Sequence, residues 1–141
     1  MSEFIIKSLN NFESAELLIE KEKYSSSIHC LYYSTYQIIL LITKYKLGDE
    51  WTAFQDAKFA ESLNSKERKE ESHNLTISFI KENINKTDEV FGRKFDSKIG
   101  ILKRYRTSAD YKEDVIDLRT ANISLGLSRN INDELLKHFG L

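Results

Sequence analysis

Ile28-His29-Cys30-Leu31-Tyr32-Tyr33-Ser34-Thr35-Tyr36-Gln37-Ile38-Ile39-Leu40-Leu41-Ile42 is the stretch on which the fold turns. Ile28, Leu31, Tyr32, Thr35, Ile38, Ile39 and Ile42 recur at steps of three and four, which places them on one stripe of a helix. Tyr33, Tyr36, Leu40 and Leu41 lie off that stripe and are also apolar or aromatic. A helix that is apolar on several sides must be covered on several sides. This one is expected at the centre of a helical bundle, with its aromatic surface also facing a second copy of the chain.

The flanks read as further helices. Upstream, Ile5, Leu9, Phe12, Ala15 and Leu18 or Ile19 form one face of a helix over Ile5 to Glu22. Tyr24-Ser25-Ser26-Ser27 reads as a turn in which a serine caps the central helix. Downstream, Leu47-Gly48-Asp49 ends it, with the glycine near the C-terminal cap. Trp51, Phe54, Ala57, Phe59 and Leu63 suggest a short amphipathic helix, and the mixed charges of Lys66 to Glu71 suggest a solvated connection. Ser72-His73-Asn74 offers cap residues for a helix carrying Leu75, Ile77, Phe79, Ile80 and Ile84, which ends in a turn over Asn85 to Asp88. Phe91, Phe95, Ile99, Leu102, Tyr105 and Ala109 make the next stripe. Tyr111 to Asp114 interrupts it, and a last helix from about Val115 to His138 turns Leu118, Ala121, Leu125, Ile131, Leu135 and Phe139 inward. Gly126, inside that helix, is expected to mark a close contact between helices.

No strand pattern competes with these periodicities. The expected fold is all-α: one domain over residues 1–141, an up-and-down bundle of about five helices with mostly antiparallel neighbours. The chain has 141 residues, enough for one real core, and no proline to break a long helix.

Composition excludes several functions. The net charge is -1, so no global basic field draws nucleic acid, and any such binding must come from a local patch. The single cysteine, Cys30, rules out an internal disulfide and an all-cysteine metal site, and reads as a small buried residue. His29, His73 and His138 are too scattered for a metal centre, so no metal is expected. His73 reads as a cap or surface residue, and His138 as a cation near a helix C-terminus. There is no Gly-rich phosphate loop and no nucleophile elbow, so no cofactor is expected. The apolar run Ile38 to Ile42 is far too short to cross a membrane. With no secretory pattern at Met1 to Phe4, the expected location is the cytoplasm.

One segment concentrates chemistry. Arg104-Tyr105-Arg106-Thr107-Ser108-Ala109-Asp110-Tyr111 places two arginines, an acid and two tyrosines at a helix end. Arg106 and Asp110, four apart, could form an ordinary surface ion pair of about 0.3–0.5 kcal/mol. The planar fork of arginine also binds phosphate oxygens bidentately, and neighbouring tyrosines can stack on bases.

Three features in order resemble the HEPN domain family. Ser14-Ala15-Glu16-Leu17-Leu18-Ile19 lies on the first helix. Tyr24 and Ile28-His29-Cys30-Leu31-Tyr32-Tyr33-Ser34-Thr35-Tyr36 lie on the second. Arg106-Thr107-Ser108-Ala109-Asp110-Tyr111 ends a later one. The resemblance spans about Phe4 to Phe139 and points to the small stand-alone prokaryotic members often paired with minimal nucleotidyltransferases in toxin–antitoxin-type systems. It implies a homodimer or heterodimer, with motif arginines at a cleft between subunits. Active members are metal-independent ribonucleases that carry a histidine four to six residues after the arginine. Here Tyr111 stands five residues after Arg106, and His29 and Cys30 stand where related chains often have a small polar residue and an arginine.

Histidine suits the proton transfers of RNA cleavage because its reference pKa is about 6.5; that of tyrosine is near 10. The expected function is therefore RNA or nucleotide binding through Arg104 and Arg106, alongside a nucleotidyltransferase partner, without efficient catalysis. Asp110, Tyr32, Tyr33 and Tyr36 would support the site. The alternatives are a ribonuclease in which Arg106 works with Tyr111 or His29, and a purely structural helical adaptor. His29 can supply the missing base only if the central helix lies against the Arg106 segment.

Overall fold

The computed structural model describes the backbone of residues 2–62 and 69–141, and the side chains of 3–58 and 72–141. Leu63 and Lys66 to Arg68 lie outside the described residues, as do the side chains of Phe59 and Lys69 to Glu71. Six α-helices occupy the described chain: α1 Ser2–Glu20, α2 Tyr24–Leu41, α3 Gly48–Ser62, α4 Lys69–Thr87, α5 Glu89–Tyr111 and α6 Leu118–His138. A π-helical turn, Ile42–Lys46, extends α2. No strand occurs among the described residues.

The central position of α2 follows from its sequence. Ile28, Leu31, Tyr32, Ile38, Ile39, Leu41 and Ile42 are all buried. They meet α1, α4, α5 and α6 on different sides. Paired contacts fix directions. Tyr33 meets Arg106 and His29 meets Asp110, so α2 and α5 run antiparallel. Lys81 pairs with Asp96 across antiparallel α4 and α5. Leu31 and Ser34 meet Ser128 and Asn132, so α6 runs parallel to α2. Of the aromatic surface expected to face a second copy, Tyr32 is fully buried within the chain and Tyr36 nearly so, while Tyr33 is half-buried.

Several helix ends differ from the sequence expectation, each for a local reason. α2 starts at Tyr24, with Lys23 in the cap position and no side-chain cap. The Ser27 hydroxyl donates back to the Tyr24 carbonyl, inside the helix rather than before it. Gly48 opens α3 instead of closing α2; the π-helical turn that extends α2 ends at Leu47, whose N–H donates to the Ile42 carbonyl. Ser72 to Asn74 lie inside α4, and Asn85 to Thr87 complete it, leaving Asp88 alone to turn the chain and cap α5 by accepting from the Phe91 N–H at 3.0 Å. Gly126 faces open space and marks no helix contact. The close approach is at Gly92, where a Cβ would collide with the side chain of Asn85 on α4. Leu9 and Leu118, expected inward, are exposed.

α6 starts at Leu118, three residues later than expected, because Asp117 caps it by accepting from the Thr120 N–H at 2.8 Å. That hydrogen bond holds the Asp117 carboxyl below its ordinary value. The folded state thus favours the carboxylate. Its contribution is present above the ordinary carboxyl range and is lost as pH falls through the folded value. Asp117→Ala is expected to lower the urea midpoint at pH 7, with the gap to wild type closing as pH falls below the ordinary carboxyl range. A gap that persists undiminished into acid would show that the carboxylate cap is not its source. Asp117→Asn keeps a neutral acceptor but not the titrating carboxylate, so its gap to wild type should be smaller at pH 7 and follow the same pH trend.

Candidate functional site

The stripe of α5 carries Phe95, Ile99 and Leu102 into the core, and its next buried position is Arg106 rather than Tyr105. Steps of three and four allow either residue, and the partner helix decides. α2 presents Tyr32 and Tyr33 there, whose ring faces attract a cation. The central guanidinium carbon of Arg106 lies 5.2 Å from the Tyr32 ring centroid, 5.6 Å from Tyr33 and 5.3 Å from Tyr111. Its Nη2 donates to the hydroxyls of Tyr33 and Tyr111, both at 3.4 Å. Nε sits 3.0 Å from Asp110 Oδ2, an ion-pair distance, though off the line of a hydrogen bond. The residue is only 7% exposed. Burial pulls its pKa down, but Tyr33, Tyr111, Asp110 and Tyr32 together more than reverse that, and the net shift is upward. The guanidinium therefore stays charged inside a tyrosine box.

Asp110 extends this arrangement to the surface. The same Oδ2 lies 2.8 Å from His29 Nδ1 on α2, whose side chain is 47% exposed. Nδ1 donates to this carboxylate oxygen, and in the neutral imidazole Nε2 is then the accepting nitrogen. The His29 ring packs 4.8 Å from Tyr33. Arg106, Asp110 and His29 thus form one chain of contacts from core to solvent. His29 and Asp110 line a hollow of about 290 Å³ together with Ser25, Ser26, Cys30 and Ala109. Cys30 is a poor nucleophile there, because burial and the charge of Asp110 both push its thiol pKa up.

Of the residues singled out in the sequence, Arg106, Asp110, Tyr111, His29, Tyr32 and Tyr33 come together. Tyr36 joins through Tyr32, its ring stacked 6.2 Å away, and burial raises its hydroxyl pKa. Arg104 does not join them. It is exposed on the outer face of α5, lining a separate hollow of about 340 Å³ with Gly100, Lys103, Thr107, Ser108 and Lys112. The two arginines do not converge on one phosphate.

His73 is the residue that the sequence reading missed. It stacks on Tyr36 at 4.0 Å, and its Nδ1 lies 3.1 Å from the Tyr32 hydroxyl, so it closes the far side of the tyrosine cluster. The signal was present: His73, Ile77, Ile80 and Ile84 are spaced by four, three and four, one stripe that starts earlier than the cap reading allowed. His138 sits in the last turn of α6, as expected, against Phe91 and the Thr87 hydroxyl. Among the described residues, no group of three His, Cys, Asp or Glu side chains gathers where a metal could be held. No helix among them is long and apolar enough to cross a membrane.

Another groove, between α1, α2 and α6, is lined by the apolar Ile5, Leu9, Phe12, Ile38 and Leu136 and by polar residues that include Ser34 of the α2 motif; Arg106, Asp110, Tyr111 and His29 lie outside it. Compared with family models, curated proteins and solved structures, the chain matches none of them.

Proposed function

We propose that this is an HEPN-like RNA-binding protein of the toxin–antitoxin type, which acts with a nucleotidyltransferase-type partner and binds RNA at the His29 hollow. The observation that carries the reading is the contact of His29 with Asp110. It joins the α2 motif to the Arg106 segment, 81 residues apart, and sets an oriented imidazole at the lip of a hollow lined by two serine hydroxyls. Arg106 then acts by holding Asp110 and Tyr111 in place rather than by clasping phosphate. Its burial is what a structural adaptor would also show; an outward His29 braced by a carboxylate is not needed for one. Dimerisation and the partner are what the resemblance implies. A light-scattering mass of one chain at micromolar concentration would count against the dimer.

A second reading, metal-independent RNA cleavage, is favoured by the outward Nε2 of His29. Nε2 would take the proton of a ribose 2′-hydroxyl. The 2′-oxygen would attack phosphorus, the bond to the 5′-oxygen would break, and that oxygen would take a proton from water, leaving a 2′,3′-cyclic phosphate. Asp110 stabilises the imidazolium formed on the way.

One experiment tests both readings. A mixed RNA pool is incubated with the pure protein and EDTA, then followed by anisotropy and by gel, for wild type, His29→Ala and the surface control Lys94→Ala. Binding by wild type and Lys94→Ala, weakened tenfold or more in His29→Ala, is the expected result. Failure of wild type to bind RNA overturns the proposal. Cleavage by wild type that disappears only in His29→Ala establishes the second reading in its place.

A further inference from the structure

Tyr111 ends α5 with its side chain outside the core: the residue is 63% exposed. It is nevertheless held. One face of the ring lies over the Arg106 guanidinium, 5.3 Å from its central carbon, and the hydroxyl accepts from Nη2 at 3.4 Å. The other face meets solvent. An aromatic ring fixed on one side by a buried cation and bare on the other is a ready surface for a flat π-system, because its conformational freedom is already spent. Its neighbours in sequence set the direction of a ligand. Asp110 lines the hollow beside His29, and Lys112 lines the second hollow with Arg104. The backbone on either side of Tyr111 thus borders a hollow with an imidazole and two serines and a hollow with two exposed cations, although the ring itself lines neither.

We propose that Tyr111 is a stacking platform for an unpaired base of single-stranded RNA, whose phosphates run from the His29 hollow to Arg104 and Lys112. The proposal rests on the RNA-binding reading and adds the ligand class: a single strand, since a paired base has no free face to offer. It also gives Arg104 a role that convergence with Arg106 cannot, as a phosphate contact one step along the strand. Stacking tolerates any base, so little sequence preference is expected.

The test is anisotropy with a labelled ten-nucleotide RNA of mixed sequence and with the same RNA annealed to its complement, at several salt concentrations. Tyr111→Ala is expected to weaken single-strand binding about tenfold or more. Tyr111→Phe, which keeps the ring, should stay within about twofold of wild type, and Tyr111→Leu, apolar but without a π-face, should behave like alanine. Duplex RNA should bind more weakly than the single strand. Arg104→Ala and Lys112→Ala should each flatten the salt dependence by about 0.7 in logarithmic slope. If wild type binds no RNA, the RNA-binding reading falls and takes the platform with it. If wild type binds and His29→Ala weakens it while Tyr111→Ala matches wild type, only the platform falls. It also falls if Tyr111→Leu binds like wild type, or if Tyr111→Phe loses as much as alanine. Far-UV melts of each variant confirm the fold.

Discussion

Arg106→Ala is expected to destabilise the protein by about 3 kcal/mol, a fall of roughly 10 °C in Tm for a chain of this size. Three losses add up. The guanidinium leaves a void between the rings of Tyr32, Tyr33 and Tyr111, on which it now lies. The hydroxyls of Tyr33 and Tyr111 lose their shared donor. Asp110, whose side chain is 20% exposed, keeps only His29 as a partner. One term opposes these: removing a buried charge also removes its desolvation cost. Arg106→Met fills most of the volume without that cost and should lose only about 1 kcal/mol.

The two variants should separate stability from function. In Arg106→Met the bundle holds, but Asp110 loses the ion pair that orients it toward His29, so RNA binding should fall while Tm drops by only about 3 °C. Urea unfolding followed by far-UV circular dichroism gives the first quantity and anisotropy the second. An alanine variant within about 0.5 kcal/mol of wild type would mean that the box is an ordinary surface ion pair.

What could be read from the sequence was whatever one helix decides alone. α2 carries too many apolar sides to lie anywhere but the centre, and the structure wraps it on four of them. Helix ends were less legible because they depend on single hydrogen bonds. Ser27 could cap from outside or bond back from inside, and the choice shifts the start of α2 by a full turn. The site divides in the same way. Its residue types stood in one short segment, but their arrangement depends on contacts between helices. Whether Tyr105 or Arg106 enters the core is decided by tyrosines on α2, and whether His29 takes part is decided by Asp110, 81 residues away. Periodicity within one helix carries neither fact. His73 is different: its stripe is visible in the sequence, and no cap is needed there because α4 starts at Lys69.

Ser34→Leu is expected to cost about 4 kcal/mol and to release α1 before the rest of the bundle. Ser34 is fully buried where α1, α2 and α6 meet. Its hydroxyl donates to the Ser8 carbonyl at 2.9 Å, and the Ser8 hydroxyl donates to the Ser34 carbonyl at 2.8 Å. With both protons committed, the Ser34 oxygen accepts from Asn132 Nδ2 at 3.2 Å. Two helices can exchange such bonds only where both side chains are small. Leucine adds branched carbon to that contact and leaves the Asn132 amide without its acceptor, in a side chain whose Oδ1 already lacks a partner. Overpacking and the unpaired amide each cost about 1–3 kcal/mol. Ser34→Ala removes the bonds without the bulk and should cost about 1–2 kcal/mol. α1 should respond first because it packs chiefly on α2, with a smaller seam to α6. Native-state hydrogen exchange reads this directly. In Ser34→Leu the amides of α1 should lose protection while those of α2 and α5 keep theirs, scaled only by the global loss. If α1 exchanges together with the core, the serine pair is one contact among many in a single cooperative unit; if Ser34→Leu is as stable as wild type, the close packing of α1 on α2 does not depend on it.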